Sequence, residues 1–297
     1  MMRFTRWLRA NVDAVVALLI AVTAGILRLL NVLGAESVNS AILIVLALLA
    51  ATLLKDRLAA SKLLADASAV RQLSSAEVSQ EHAEAHRHTE QWIFKGGTGT
   101  YLRAVTLKEC IKHARKEHRP LRMRLEIIDP TNETLCTAYA QFRSALAAGP
   151  DGTGEIWTFE RTRKEAFATI LAACWYRQRF PFLTIEVGLS EMMTTFRWDL
   201  SSDNVIMTQD DQSSPALMFA KGKPYYRAYS RELEASFRQA RRVDLERAIG
   251  LQLSTEPTID ETRKLFTMLE LDLPRSFTDS DVSDVIAKAI QAKNPYR

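Results

Sequence analysis

The segment WIFKGGTGT (Trp92–Thr100), followed by YLRAVTLKECIKHARKEHRP (Tyr101–Pro120) and LRMRLEII (Leu121–Ile128), decides the fold class. Trp92–Phe94 reads as a short apolar strand, and Lys95–Thr100 as a glycine-rich turn. Tyr101–Arg119 reads as a helix stopped by Pro120, which has no N–H to continue the ladder. Leu107, Ile111, Ala114 and His118 recur at helical spacing and predict a core face. Lys108, Lys112, Arg115 and Arg119 repeat that spacing one residue on, a basic stripe read as a solvated face. Leu121, Met123, Leu125 and Ile127 alternate with Arg122, Arg124 and Glu126, which predicts a strand with one wet side. Strand, turn, helix and strand in this order give an α/β class.

Downstream, Asp129–Asn132 turns into a helix through Leu135, Tyr139 and Phe142, and Gly149–Gly154 is a loop. A helix over Arg163–Phe180 leads to strands at Phe182–Val187, Thr194–Leu200, Asn204–Gln209 and Ala216–Ala220. A long helix is expected over Tyr229–Leu251. Two capping boxes, Thr258 with Glu261 and Thr278 with Asp281, open the helices of a C-terminal tail.

Upstream, two apolar stretches, about Val12–Gly34 and Val38–Leu54, predict a transmembrane helical hairpin with a tight link near Leu33–Ser37. Arg3, Arg6 and Arg9 before it, and Lys55, Arg57 and Lys62 after it, place both termini in the cytoplasm. Arg28 is read as snorkelling to the outer headgroups, and Asp13 as interfacial. Lys55 to about Thr89 contains neither Pro nor Gly and reads as a helical stalk. The expected organisation is therefore a hairpin at 1–54, a stalk at 55–90, a mixed-sheet α/β domain at 91–250 and a helical tail at 251–297.

The net charge of +4 over 297 residues does not by itself argue for nucleic acid as a direct ligand. Cys110, Cys136 and Cys174 form no CxxC pair and read as reduced, buried thiols. His82 and His86 are four apart on the stalk, as metal ligands can be, but no third ligand converges; they are read as a solvated face. No metal or cofactor is expected, and no catalytic constellation is evident.

The ligand candidate is the glycine turn. Backbone N–H groups and a helix N-terminus attract anions, and flanking cations would add to them. Lys95, Gly96, Gly97, Thr98, Gly99 and Arg103 form this candidate, joined by Arg197 and by Lys221 and Lys223 of the turn KGKPYYR if both turns share one end of the sheet. Arg197 and Asp199 lie two apart on a strand, on one side of it, and are expected to pair.

The segments FKGGTGTYLR, LRMRLEIIDPTN, FRWDLSSDNVIMTQDD and ALMFAKGKPYYRAYSRELEASF, in that order, resemble one phospholipase-D-like domain. In that family a later hairpin carries the catalytic HxKxxxxD. Here Thr195 and Arg197 stand near its His and Lys, and no HxKxxxxD occurs. The resemblance implies the fold and the place of a binding site without the hydrolytic nucleophile. A membrane hairpin before such a domain is similar in architecture to two-transmembrane effectors of bacterial anti-phage defence. The function expected is a bacterial inner-membrane effector, homo-oligomeric, whose cytoplasmic domain senses an anionic or nucleotide ligand or a protein partner encoded nearby. The alternatives are a diverged phosphodiesterase acting at the bilayer and a non-catalytic scaffold subunit.

Overall fold

The computed structural model describes residues 22, 23, 26, 35–67, 70–147, 157–210 and 214–295. The chain divides into two compact units, Met1–Ser68 and Ala69–Arg297.

In the first unit, helix α1 spans Ala35–Ala67 as one 33-residue element. This corrects the expected membrane hairpin. Among the described residues no helix is long and apolar enough to cross a membrane. The run Ala41–Leu54 is roughly 14 residues, or about 21 Å of helix, against a hydrocarbon core of about 30 Å. Asn39 and Ser40 bound it on one side and Lys55, Asp56 and Arg57 on the other. The hydroxyl of Thr52, within the run, donates back to the Leu48 carbonyl. The helix continues past Lys55 with no break between span and stalk. The first expected span lies outside the described residues apart from Val22, Thr23 and Ile26, and so do Asp13, Arg28 and the loop 149–154.

The second unit is a mixed α/β fold around one sheet. Its elements are β1 (Arg71–Leu73), α2 (Ser75–His88), β2 (Gln91–Lys95), α3 (Leu107–Lys116), β3 (Leu121–Ile128), α4 (Glu133–Ala147), α5 (Phe159–Arg179) and β4 (Leu183–Ser190). Then come β5 (Phe196–Leu200), β6 (Asn204–Gln209), β7 (Ala216–Ala220), α6 (Pro224–Gln239), β8 (Arg241–Val243), α7 (Ile259–Met268) and α8 (Asp279–Ile290). The sheet has eight strands in the order β1-β7-β6-β5-β2-β3-β4-β8. β2, β3 and β4 run parallel, and every other pairing is antiparallel.

Alternation along the parallel strands sets the layers. Trp92, Phe94, Leu121, Met123, Leu125 and Ile127 turn to one face, where α3, α5, α7 and α8 build the main core. The tail helices are thus part of that core: Phe266, Phe277, Val282 and Val285 are buried in it. The opposite face carries Ile93, Leu200, Val205 and Phe219 beneath α6. On the expected wet side of β3, Arg122 is exposed, and the next two residues on that side make polar contacts. Arg124 pairs with Glu234 at 2.9 Å, and the buried Glu126 accepts from Ser236 at 2.8 Å.

Three local expectations change. The stalk breaks at β1, where Leu73 is buried against Ile206, Ala216 and Met218, and a capping box of Ser74 with Glu77 restarts the chain as α2. The last long helix begins at Pro224 and ends at Gln239, because Arg241–Val243 pairs with β4. His118 is exposed at φ 52° and closes the helix instead of extending its core face. In the basic stripe Lys112 and Arg115 are exposed, while Lys108 donates to the Ala292 carbonyl at 2.8 Å and Arg119 to that of Arg87 at 2.7 Å.

Candidate functional site

The glycine turn sits at the C-terminal end of β2, where the chain leaves the sheet for the helix opening at Thr100. Each glycine has a distinct reason. A Cβ on Gly97 would stand 2.2 Å from the Tyr139 hydroxyl, so only glycine lets α4 close over the turn. Gly99 has φ +75°, a conformation L side chains rarely adopt. The first full turn of the helix, Leu102–Thr106, is π-helical.

A buried network fixes the turn from below. The Thr98 and Thr100 hydroxyls are 3.0 Å apart, and Thr100 donates to Glu165 Oε2 at 3.0 Å. Glu165 also pairs with Arg103 and, at 3.0 Å, with Lys288 of α8. Burial pushes the Glu165 carboxyl up, but Arg103 and Lys288 outweigh it and hold the group below the usual carboxylate range. Arg103 is 2% exposed. Its guanidinium donates to the Lys288 carbonyl at 2.7 Å, the Glu165 carbonyl at 2.9 Å and Thr169 at 2.7 Å.

A cavity of about 210 Å³ opens over the turn. Its floor is Gly97, Thr98, Gly99 and Thr100, and its walls include Arg143, Arg161, Arg197 and Asp210. Two guanidiniums lie over the Trp157 ring, Arg143 4.5 Å and Arg161 4.1 Å from its centre. Arg143 also pairs with Asp210 at 2.6 Å. Among the described residues this wall carries three guanidiniums, with Asp210 paired to Arg143 and Asp199 3.5 Å from Arg197, at the end where the helix N-terminus adds partial positive charge. Pro295 reaches its rim.

The expected site residues separate. Gly97, Thr98, Gly99 and Arg197 line this cavity, while Gly96 sits just before them, its N–H on the Glu126 carbonyl. Arg103 is consumed by the buried network. Lys95 projects with Ile93 to the α6 face, where it meets Ser236 and lies 3.3 Å from Glu126. Lys221 lines a different cavity, with Gln91 and Leu121 at the N-terminal ends of β2 and β3. Strand direction explains this: β7 runs antiparallel to β6, which is antiparallel to β5, itself antiparallel to β2. The end of β7, with Lys221 and Lys223 after it, is therefore opposite the glycine turn. Arg143, Trp157, Arg161 and Asp210 were not singled out from sequence. The spacing Trp157–Arg161 and Tyr139–Arg143, aromatic to arginine at four residues, is the signal that marks them.

Arg197 and Asp199 do face one side of β5, 3.5 Å apart. Asp199 is buried, accepts from the Trp92 indole at 3.1 Å, and lies 3.8 Å from His82. His82 and His86 are buried, not solvated, with His86 against Trp92 at 5.1 Å between ring centres. Burial, reinforced by Arg197, drives the His82 imidazole down to about 3; burial and then His82 drive His86 to about 4. Burial raises the Asp199 carboxyl against the pull of Arg197. Among the described residues no group of three such side chains is arranged to hold a metal ion.

Beneath α2 lies a second cavity of about 190 Å³, which shares Tyr101 and Arg197 with the first. No protein-family model matches the chain, and no curated protein matches it. The phospholipase-D-like resemblance and the likeness to defence effectors therefore gain no support from relatives, and the function rests on the site.

Proposed function

We propose that the Ala69–Arg297 unit is a binding module that senses a small phosphate-bearing ligand. One observation carries this reading: the glycine turn and helix start form the floor of a cavity walled by Arg143, Arg161 and Arg197. Backbone donors at a helix N-terminus and planar guanidiniums are complementary to phosphate oxygens. The turn is held in place by Glu165, Thr169 and Tyr139, so the donors are ordered before a ligand arrives. The reading uses no membrane span and no catalytic step.

Isothermal titration of the full chain with inorganic phosphate tests it. Saturable binding is expected, weakened about tenfold or more by Arg161→Ala or Arg197→Ala, since a hydrogen bond to a charged group contributes about 1.5–3 kcal/mol. Lys95→Ala and Lys221→Ala should leave binding unchanged. Absence of binding, or equal losses in the lysine variants, would place the reading in error.

A further inference from the structure

The cavity beneath α2 differs in character from the one over the glycine turn. Its polar wall includes Ser75, Ser79, Thr208, Gln209 and Ser214, all neutral. His82, also in the wall, is held neutral by burial. Arg197 contributes a charge, but Asp199 stands 3.5 Å from its Nε and offsets it. Val78 and Ala216 add apolar surface. The buried Thr208 hydroxyl and His82 Nε2 have no hydrogen-bond partner, so this wall holds unused hydrogen-bonding capacity. Among the described residues of this lining, Arg197 is the one cation. A flat, uncharged group with donors and acceptors along its edge fits this lining.

In the first cavity, by contrast, arginines already occupy the indole. The guanidiniums of Arg143 and Arg161 both lie over the Trp157 ring. The two cavities meet at Tyr101 and Arg197, whose guanidinium carbon is 5.4 Å from the Tyr101 ring centre.

We propose that the two cavities form one bipartite site for a mononucleotide, with the phosphate at the glycine turn and the uncharged heterocycle beneath α2. This extends the anion-binding reading above and rests on it. Arg197 then stands at the junction, where it contacts the phosphate from one side while the ring lies on the other.

The test is isothermal titration of the full chain with inorganic phosphate, the four ribonucleosides and their 5′-monophosphates. At least one monophosphate should bind about tenfold or more tighter than phosphate and than its own nucleoside. Ser79→Phe, on the exposed side of α2, closes the second cavity at its mouth, and Ala216→Phe fills it from the sheet. Either folded variant should return the monophosphate to the affinity of phosphate and leave phosphate itself unaffected. Phosphate binding with no gain for any monophosphate overturns the bipartite site alone, as does a gain that survives in either folded variant. No phosphate binding by the unmodified chain overturns the anion reading and this extension together.

Discussion

His82 and His86 show how far a residue's setting departs from its spacing. Four apart on a polar segment, they read as a solvated pair, yet both are buried against Trp92 and Asp199. What sequence could not supply is the partner surface: β1 and α2 fold back onto the sheet. The consequence is a pH dependence of stability. The unfolded chain takes up protons on these imidazoles below about 6.5, whereas the folded chain does so only near 3 and 4. Their contribution is therefore fully present above about pH 6.5 and is lost as pH falls toward those folded values. The slope is on the order of 1.4 kcal/mol per pH unit for each histidine. Asp199 acts in the opposite sense, because its carboxyl is raised; its contribution is present at low pH and is lost as pH rises through its folded value. Urea titrations at pH 7.5 and 5 should show the chain less stable at pH 5. The double variant His82→Gln, His86→Gln should show a smaller difference. Equal pH dependence in both proteins would contradict this.

Among elements, the strand–turn–helix–strand unit was the most legible. Period-two alternation in Leu121–Ile127 matches β3, while the helix expected to run to Pro120 ends at Lys116, closed by His118. The same alternation separates Lys95 from Phe94 and sends it to the α6 face, so its absence from the cavity was readable too. β1 was not readable, since three residues inside a helix-compatible segment become strand only because β7 offers an edge. The placement of Arg143 and Arg161 on the same cavity depends on how α4 and α5 dock. α5 also supplies the most consequential buried charge. Glu165 neutralises Arg103 and anchors Lys288, tying the glycine turn to α8. Glu165→Leu would leave Arg103 buried without its counter-charge, and breaking such a pair costs about 3–5 kcal/mol. Thermal melting should show a large loss for Glu165→Leu and a smaller one for Glu165→Gln, which keeps hydrogen-bond acceptance. Melting within error of the unmodified chain for Glu165→Leu would show that the network does not hold the turn.

At the scale of the whole molecule, the sheet of Ala69–Arg297 separates its two ends. One end gathers the glycine turn, the helix start and three arginines; the other carries Lys221 and Tyr226 near the starts of β2 and β3. The α/β class was legible in sequence because alternation and helical spacing are local. The extent of this unit was not, since β1, α2 and the tail helices join it only through long-range packing. Of the expected membrane hairpin, the first stretch lies outside the described residues, and among the described residues no helix is long and apolar enough to cross a membrane. The proposed anion lies at the C-terminal end of β2. The most direct measurement is a crystal of the full chain soaked in tungstate, a heavy analogue of phosphate, with the anomalous signal mapped. The account predicts a peak over Thr98–Thr100 within reach of Arg161 and Arg197. A peak at the Lys221 end of the sheet, or none above the glycine turn, would contradict it.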